Sequence, residues 1–349
     1  MKKLSLILLF ILTSCSTTIK DFDKYEKEFI SKTSFMPSAE NIKGIQPKLV
    51  VFEFDENNNE VAKNANLGKI IGNNIENILT QDRLVELVDR KAAEKLKQEI
   101  ALAEMNKTGI YKGPKIADYA ISGSISNADF SSKYSSGSTY VNPKNMQLIT
   151  IPPKYTYSSN VSGNIKIYEL PSLTVIENVE FSGAKTRSEN VRQNGGLSLG
   201  ALQIGGEKVN GISRDDGLVR SAAYDAILSS NIELKNAFAK KGYILEKRVF
   251  DKKAIFKISL GSQDGIKQED EFEIIGQFEV ENPITNEVEI ERRIIASGKV
   301  SNIVNPSYSW VVLNEKEKNK SIRLGDMVKI KYKRNALEKL LKDAKKLSI

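Results

Sequence analysis

Leu49-Val50-Val51-Phe52-Glu53-Phe54 is an apolar run rich in strand formers, and it opens a stretch that reads as one unit as far as Ser124. An acidic, amide-rich turn follows it, Asp55-Glu56-Asn57-Asn58-Asn59. Leu67, Ile70, Ile71, Ile75, Ile78 and Leu79 then recur with a spacing that puts them on one helix face. Leu84 to Val88 reads as a second strand, and Asp89 as the cap of a helix carrying Ala92, Ala93, Leu96, Ile100 and Ala103 on one side. Tyr119 to Ile125 reads as a third strand. Strand, helix, strand, helix, strand predicts helices packed on a sheet.

The segments around this unit have their own signatures. Phe130, Tyr134 and Tyr140 fall at even positions in a serine- and tyrosine-rich stretch, Asp129–Val161, and Tyr155, Tyr157 and Val161 share a face on the return. That pattern predicts a long hairpin, with Asn142-Pro143 at its turn and Pro152-Pro153 interrupting its second arm. Ile165 to Leu170 and Thr174 to Phe181 predict two more paired strands. Lys185–Arg214 is polar and then glycine-rich. Asp215-Asp216 can cap a long helix whose apolar stripe runs from Leu218 to Phe238, with Gly242 as its stop. From 246 to 333, Ala254, Phe256, Ile258 and Leu260 alternate with polar neighbours, and further short apolar runs continue to Ile330. They predict a small β-barrel-like domain. Ala336, Leu337, Leu340, Leu341, Ala344 and Leu347 line one side of a lysine-rich terminal helix at 334–349.

The first residues bear on compartment. Lys2 and Lys3 precede an apolar run, Leu4–Leu12, well short of the ~20 residues a spanning helix needs. Leu12-Thr13-Ser14-Cys15 then sets small residues before the sole cysteine. The layout of residues 1–15 resembles a bacterial lipoprotein signal peptide with its lipobox, which would make Cys15 the lipidated first residue of the mature chain. A plain buried thiol is the alternative reading. Residues 16–46 read as a tether, ordered where an aromatic finds the domain surface.

Composition limits the chemistry. The 349 residues carry no histidine, so Ser-His-Asp and Cys-His nucleophile arrangements are ruled out. With one cysteine there is no disulfide, and zinc lacks its usual ligands. Asp55–Glu60 offers oxygen atoms without the glycine spacing of a calcium loop, so a polar turn is the simpler reading. No catalytic residue, metal or cofactor is expected. The charge of +8 comes from dispersed lysines without interleaved aromatics, which does not fit nucleic acid.

The order of these pieces resembles the CsgG family, the curli production and secretion lipoproteins. The resemblance is carried by Cys15, Leu49–Phe54 before its polar turn, and the helix Leu67–Leu79. It continues through Leu84-Val85-Glu86-Leu87-Val88-Asp89-Arg90, Ala117–Ile125 and Val161–Val179. It implies an α+β chain: a central sheet domain of the CsgG/TolB-N type at 47–245, then the small β-domain at 246–333. It also implies a homo-oligomer, attachment to outer-membrane lipid on the periplasmic face through Cys15, and work with envelope or secretion proteins. Asp55, Glu56, Asn57, Asn58 and Asn59 would begin a channel-constriction loop reaching Asn66. The stretches Asp129–Val161 and Lys185–Arg214 would supply membrane hairpins, with Tyr134, Tyr140, Tyr155 and Tyr157 in the first. The chain departs from a barrel pattern at Lys185, Arg187, Glu189 and Arg192, which put charge on both faces of the second hairpin. A non-pore periplasmic scaffold or activator of the envelope or flagellar motor is therefore the competing reading. Gly261-Ser262-Gln263-Asp264-Gly265 with Leu324-Gly325-Asp326-Met327-Val328 also resembles the C-terminal barrel of FlgT-like flagellar factors.

Overall fold

The computed structural model describes residues 17–38, 42, 46–89, 117–191, 197–199, 202–204, 211–284, 287–315 and 319–334, with 197–199 and 202–204 described by backbone alone. The helix expected after Asp89, the basic terminal helix and Cys15 lie outside the described residues. The protein is mixed α+β, rich in strand, and contains a six-stranded β-barrel. It divides into two units: Gln46–Phe238, and the flanking segments Met1–Ile45 and Ala239–Ile349.

The first described strand, β1 (Glu26–Glu28), belongs to the second unit. The central unit begins with β2 (Lys48–Val51), β3 (Glu86–Leu87) and β4 (Tyr119–Ser135). They are followed by β5 (Ser138–Val141), β6 (Leu148–Ile151), β7 (Lys154–Glu169), β8 (Thr174–Asn190), β9 (Leu197–Leu199) and β10 (Leu202–Ile204). Its sheet runs β3-β2-β4-β7-β8. The strand β2 is parallel to β3 and β4, and the pairs β4–β7 and β7–β8 are antiparallel. The apolar run continues past β2 along β4. Phe52 N–H donates to Ile121 O at 2.9 Å and Asp55 N–H to Gly123 O at 2.9 Å.

Helices α1 (Glu60–Ala65), α2 (Leu67–Gln81), α3 (Asp216–Ser229) and α4 (Asn231–Ala237) complete the unit. On α2, Leu67, Ile71, Ile75 and Leu79 are buried as their spacing predicts. Ile70 and Ile78 flank that stripe half-buried, and Gly68 and Gly72 complete it. On α3, Leu218, Val219, Ala222, Ala223, Ala226 and Ile227 are buried. Gly183 of β8 permits its close approach, since a Cβ there would lie 2.3 Å from Ala226 N.

The long helix expected from 218 to 238 is broken in two. Ser230 ends α3, and its hydroxyl donates to Ala226 O and Ile227 O, both at 3.3 Å. Gly242 does not stop a helix: it lies within β11 (Lys241–Phe250). The strand Thr174–Phe181 likewise runs on through the charged residues to Asn190.

The second unit adds β12 (Lys253–Ile258), β13 (Glu271–Glu281), β14 (Val288–Val304), β15 (Ser309–Leu313) and β16 (Met327–Lys331). The order β11-β12-β15-β14-β13-β16 closes where β16 pairs with β11, so no barrel edge is left open along Lys241–Tyr243. Phe256, Ile258, Phe272, Ile274, Val300, Val311, Val328 and Ile330 fill the interior. Asp326 is buried beside Arg323, which donates a backbone N–H at 2.8 Å and a guanidinium N–H at 3.0 Å to it. Burial nevertheless pushes the Asp326 carboxyl above its ordinary range, the arginine contacts pulling the other way.

Residues 17–38, expected as a tether, are built into this barrel unit. Ile19 and Tyr25 are buried with Ile255 and Trp310. Phe22 meets Trp310 edge-on at 5.1 Å. Arg248 sits 5.1 Å from both rings. Strand β1 then pairs with Lys247–Val249 of β11, and Glu28 takes an ion pair at 2.9 Å from Lys247, whose side chain is only 6% exposed. Thr33 and Leu324 complete the strap: Thr33 N–H donates to Leu324 O at 2.9 Å, and Leu324 N–H to Ser31 O at 2.9 Å.

Candidate functional site

The acidic turn does not project. Asn57 and Asn58 adopt positive φ, 46° and 60°, which asparagine tolerates, so the chain reverses at once into α1. Its polar atoms are engaged. Asp55 Oδ1 accepts from Asn57 N–H at 2.9 Å, and Glu56 Oε1 accepts from Gly68 N–H at 2.9 Å. Asn58 Oδ1 accepts from Lys63 Nζ at 3.0 Å. Asn59 caps α1 through Ala62 N–H at 2.9 Å and donates from Nδ2 to Ala128 O at 2.9 Å. Asn57 Nδ2 donates to Ile125 O at 3.2 Å. The turn is thus stitched to β4, and α1 occupies the rest of the expected loop. Arg220 Nε donates to Ala65 O at 3.0 Å, a cation at the helix C-terminus where the dipole favours one. Four side-chain oxygens that could ligand a cation already accept N–H donors.

The tyrosines of the first hairpin divide into two groups. Register places Tyr134 opposite Tyr155 and Ser132 opposite Tyr157. Tyr134 and Tyr155 rings lie 5.1 Å apart, and Tyr155 stacks on Tyr157 at 6.1 Å with planes 9° apart. Phe130 also stacks on Tyr157, at 6.1 Å. The Arg187 guanidinium lies 5.4 Å from the Tyr157 ring and pairs with Asp215 at 2.9 Å and Glu189 at 3.1 Å. Gly211 passes so close that a Cβ would fall 2.6 Å from the Tyr155 ring. The ladder runs from the surface inward: Tyr134 is 37% exposed, Tyr155 half-buried and Tyr157 3% exposed. Arg187, read from sequence only as an unwelcome charge, is its cationic lid. Charges in β8 that looked misplaced for a lipid face are paired: Lys185 meets Asp225 at 3.1 Å.

Tyr140 lies elsewhere, on the β5–β6 hairpin that extends beyond the ladder. Thr139 faces Thr150, Tyr140 faces Ile149, and Val141 faces Leu148. Asn142 closes the turn, accepting from Lys144 N–H at 3.0 Å through Oδ1 and donating its own N–H to Gln147 O at 2.8 Å. Tyr140, Val141, Leu148 and Ile151 are between 45% and 62% exposed. Directly opposed residues share a face, so Tyr140 and Ile149 lie on one side and Val141 and Leu148 on the other. Both faces are therefore apolar. Sequence reasoning singled out Tyr140 and missed its companions Val141, Leu148 and Ile151, because a hairpin apolar on both faces carries no alternation.

No family model matches this chain, and no curated protein matches it. Among solved structures, it is similar to a dodecamer of a PelC point variant from Paraburkholderia phytofirmans at 12% identity, over 58% of this chain and 94% of that one. The TM-score is 0.22.

Proposed function

We propose that this chain is a lipid-anchored, oligomeric envelope lipoprotein of the CsgG type, serving assembly or secretion of surface protein from the periplasmic face of the outer membrane. It acts as a non-spanning component, and β5–β6 is its contact element. The observation that carries this is the exposed apolar hairpin at Tyr140, Val141, Leu148 and Ile151. Contiguous exposed apolar surface marks interaction sites. Its strands have four residues each, and a bilayer-crossing strand needs about 9–11. A barrel strand also keeps one polar lumen side, whereas this hairpin is apolar on both. Two protein neighbours, one against each face, satisfy that arrangement.

The export-channel reading draws on the short β9–β10 hairpin, in the second stretch the resemblance implies. Two measurements separate the readings. Single-particle imaging of the detergent-extracted protein should find a closed oligomer. Planar bilayers should show no conductance steps. A monomer would overturn the assembly reading, and steps lost on Tyr140→Arg with Leu148→Arg would make the protein a channel.

A further inference from the structure

Chain length decides what the strap does to a membrane anchor. Thr17 stands two residues after Cys15. Two residues reach at most ~7 Å. Thr17 is already on the barrel: its backbone N–H donates to Glu269 Oε1, and its hydroxyl lies 3.4 Å from Oε2. Lys299 Nζ holds the same carboxylate at 3.1 Å. Ile19 N–H donates to Asn302 Oδ1 at 2.8 Å, and the Ile19 side chain is buried against Trp310 and Ile255. A flexible tether of about thirty residues would instead let a domain wander by ~30 Å.

We propose that the barrel unit is the membrane-facing part of this protein, its Thr17–Glu269–Asn302 end resting against lipid headgroups. This rests on Cys15 being acylated. Lys20, exposed beside Ile19, stands at this end to meet headgroup phosphates, while Lys299 stays paired with Glu269. The hairpin of β13 and β14 leads the other way. Glu271 pairs with Lys299 beside the Thr17 site, and Glu281 lies a full strand further on, a run of ~34 Å. Ile284, in the turn beyond it, is 89% exposed.

The test uses the full acylated chain. Cys15 is the sole cysteine, so Gln268→Cys and Ile284→Cys each add one reactive thiol. Each carries a fluorophore, in vesicles of phosphatidylethanolamine and phosphatidylglycerol doped with a headgroup-quencher lipid. Quenching at position 268 should be several-fold stronger than at 284. Ile19→Asp, which releases the strap, should leave flotation intact and lower quenching at 268 to the level of 284. Floating protein quenched equally at both positions overturns the inference, as does a strap-release variant whose quenching does not change. A chain that carries no acyl label and does not float overturns the anchor reading instead.

Discussion

Tyr134 stands directly opposite Tyr155 across the β4–β7 pair, ring centroids 5.1 Å apart, and Gly211 passes close against the Tyr155 ring. The same face continues to Tyr157 and Val161, which are 3% and 1% exposed. Replacing Tyr155, Tyr157 and Val161 together with arginine should therefore prevent folding of the central domain, because unpaired charge would be buried. Tyr157→Ala alone should cost about 3 kcal/mol, the scale of removing a buried aromatic. Urea unfolding followed by circular dichroism measures both.

Tyr140→Ser with Leu148→Ser should behave differently. Both side chains are exposed, so stability should stay within about 0.5 kcal/mol of the parent. The sedimentation coefficient should fall to that of a smaller species. An unchanged assembly would remove β5–β6 from the interface.

Asn59→Ala should destabilise the central domain by about 1–2 kcal/mol, the worth of a helix N-cap, since it also strands Ala128 O. Asn58→Gly should cost little, since glycine accepts the positive φ of 60° there and the bond lost is to exposed Lys63. Thermal melts of the two variants provide the comparison.

How much of this was legible in sequence depends on which force shapes each element. Leu67, Ile71, Ile75 and Leu79 announced α2 because burial of one face is periodic. Glu26-Lys27-Glu28 announced nothing: all three side chains are exposed, and β1 exists through backbone pairing to β11. The break at Ser230 leaves apolar spacing intact on both sides, so periodicity runs through it. Lys185, Arg187 and Glu189 spoiled a barrel strand on paper, yet extend β8 because Asp225 and Asp215 wait opposite. The acidic turn was visible as a turn. Its closure onto β4 depends on carbonyls of Ile125 and Ala128, which no local pattern encodes.

The strap should loosen in acid. The Thr17 backbone N–H, and after it Lys299, hold the Glu269 carboxyl below the usual glutamate range. A depressed acid contributes stability above its unfolded pKa, and that contribution is lost as pH falls through the lowered folded value. Emission of Trp310, which the strap covers through Ile19, Phe22 and Tyr25, should shift to the red as pH falls below the ordinary glutamate pKa. Glu269→Gln should flatten this dependence.

A fragment spanning 239–334 should fold less stably than the same fragment supplied with residues 17–38. Ile19 and Tyr25 cover Ile255 and Trp310, and burying side chains of that size contributes about 1.5–3 kcal/mol each. Emission of the sole tryptophan, Trp310, should shift to the red without the strap and return when it is added.

The pairing of β1 with β11 also sets a timetable for the newborn chain. Glu26 and Val249 are register partners, and the whole central domain lies between them in sequence. A polypeptide emerging N-terminus first presents Ile19, Phe22 and Tyr25 long before Trp310 exists to receive them. Contacts of such high sequence separation form late, and greasy segments awaiting partners are what holding chaperones recognise. The barrel unit therefore closes only after the central domain has been made, although its first strand is made before that domain.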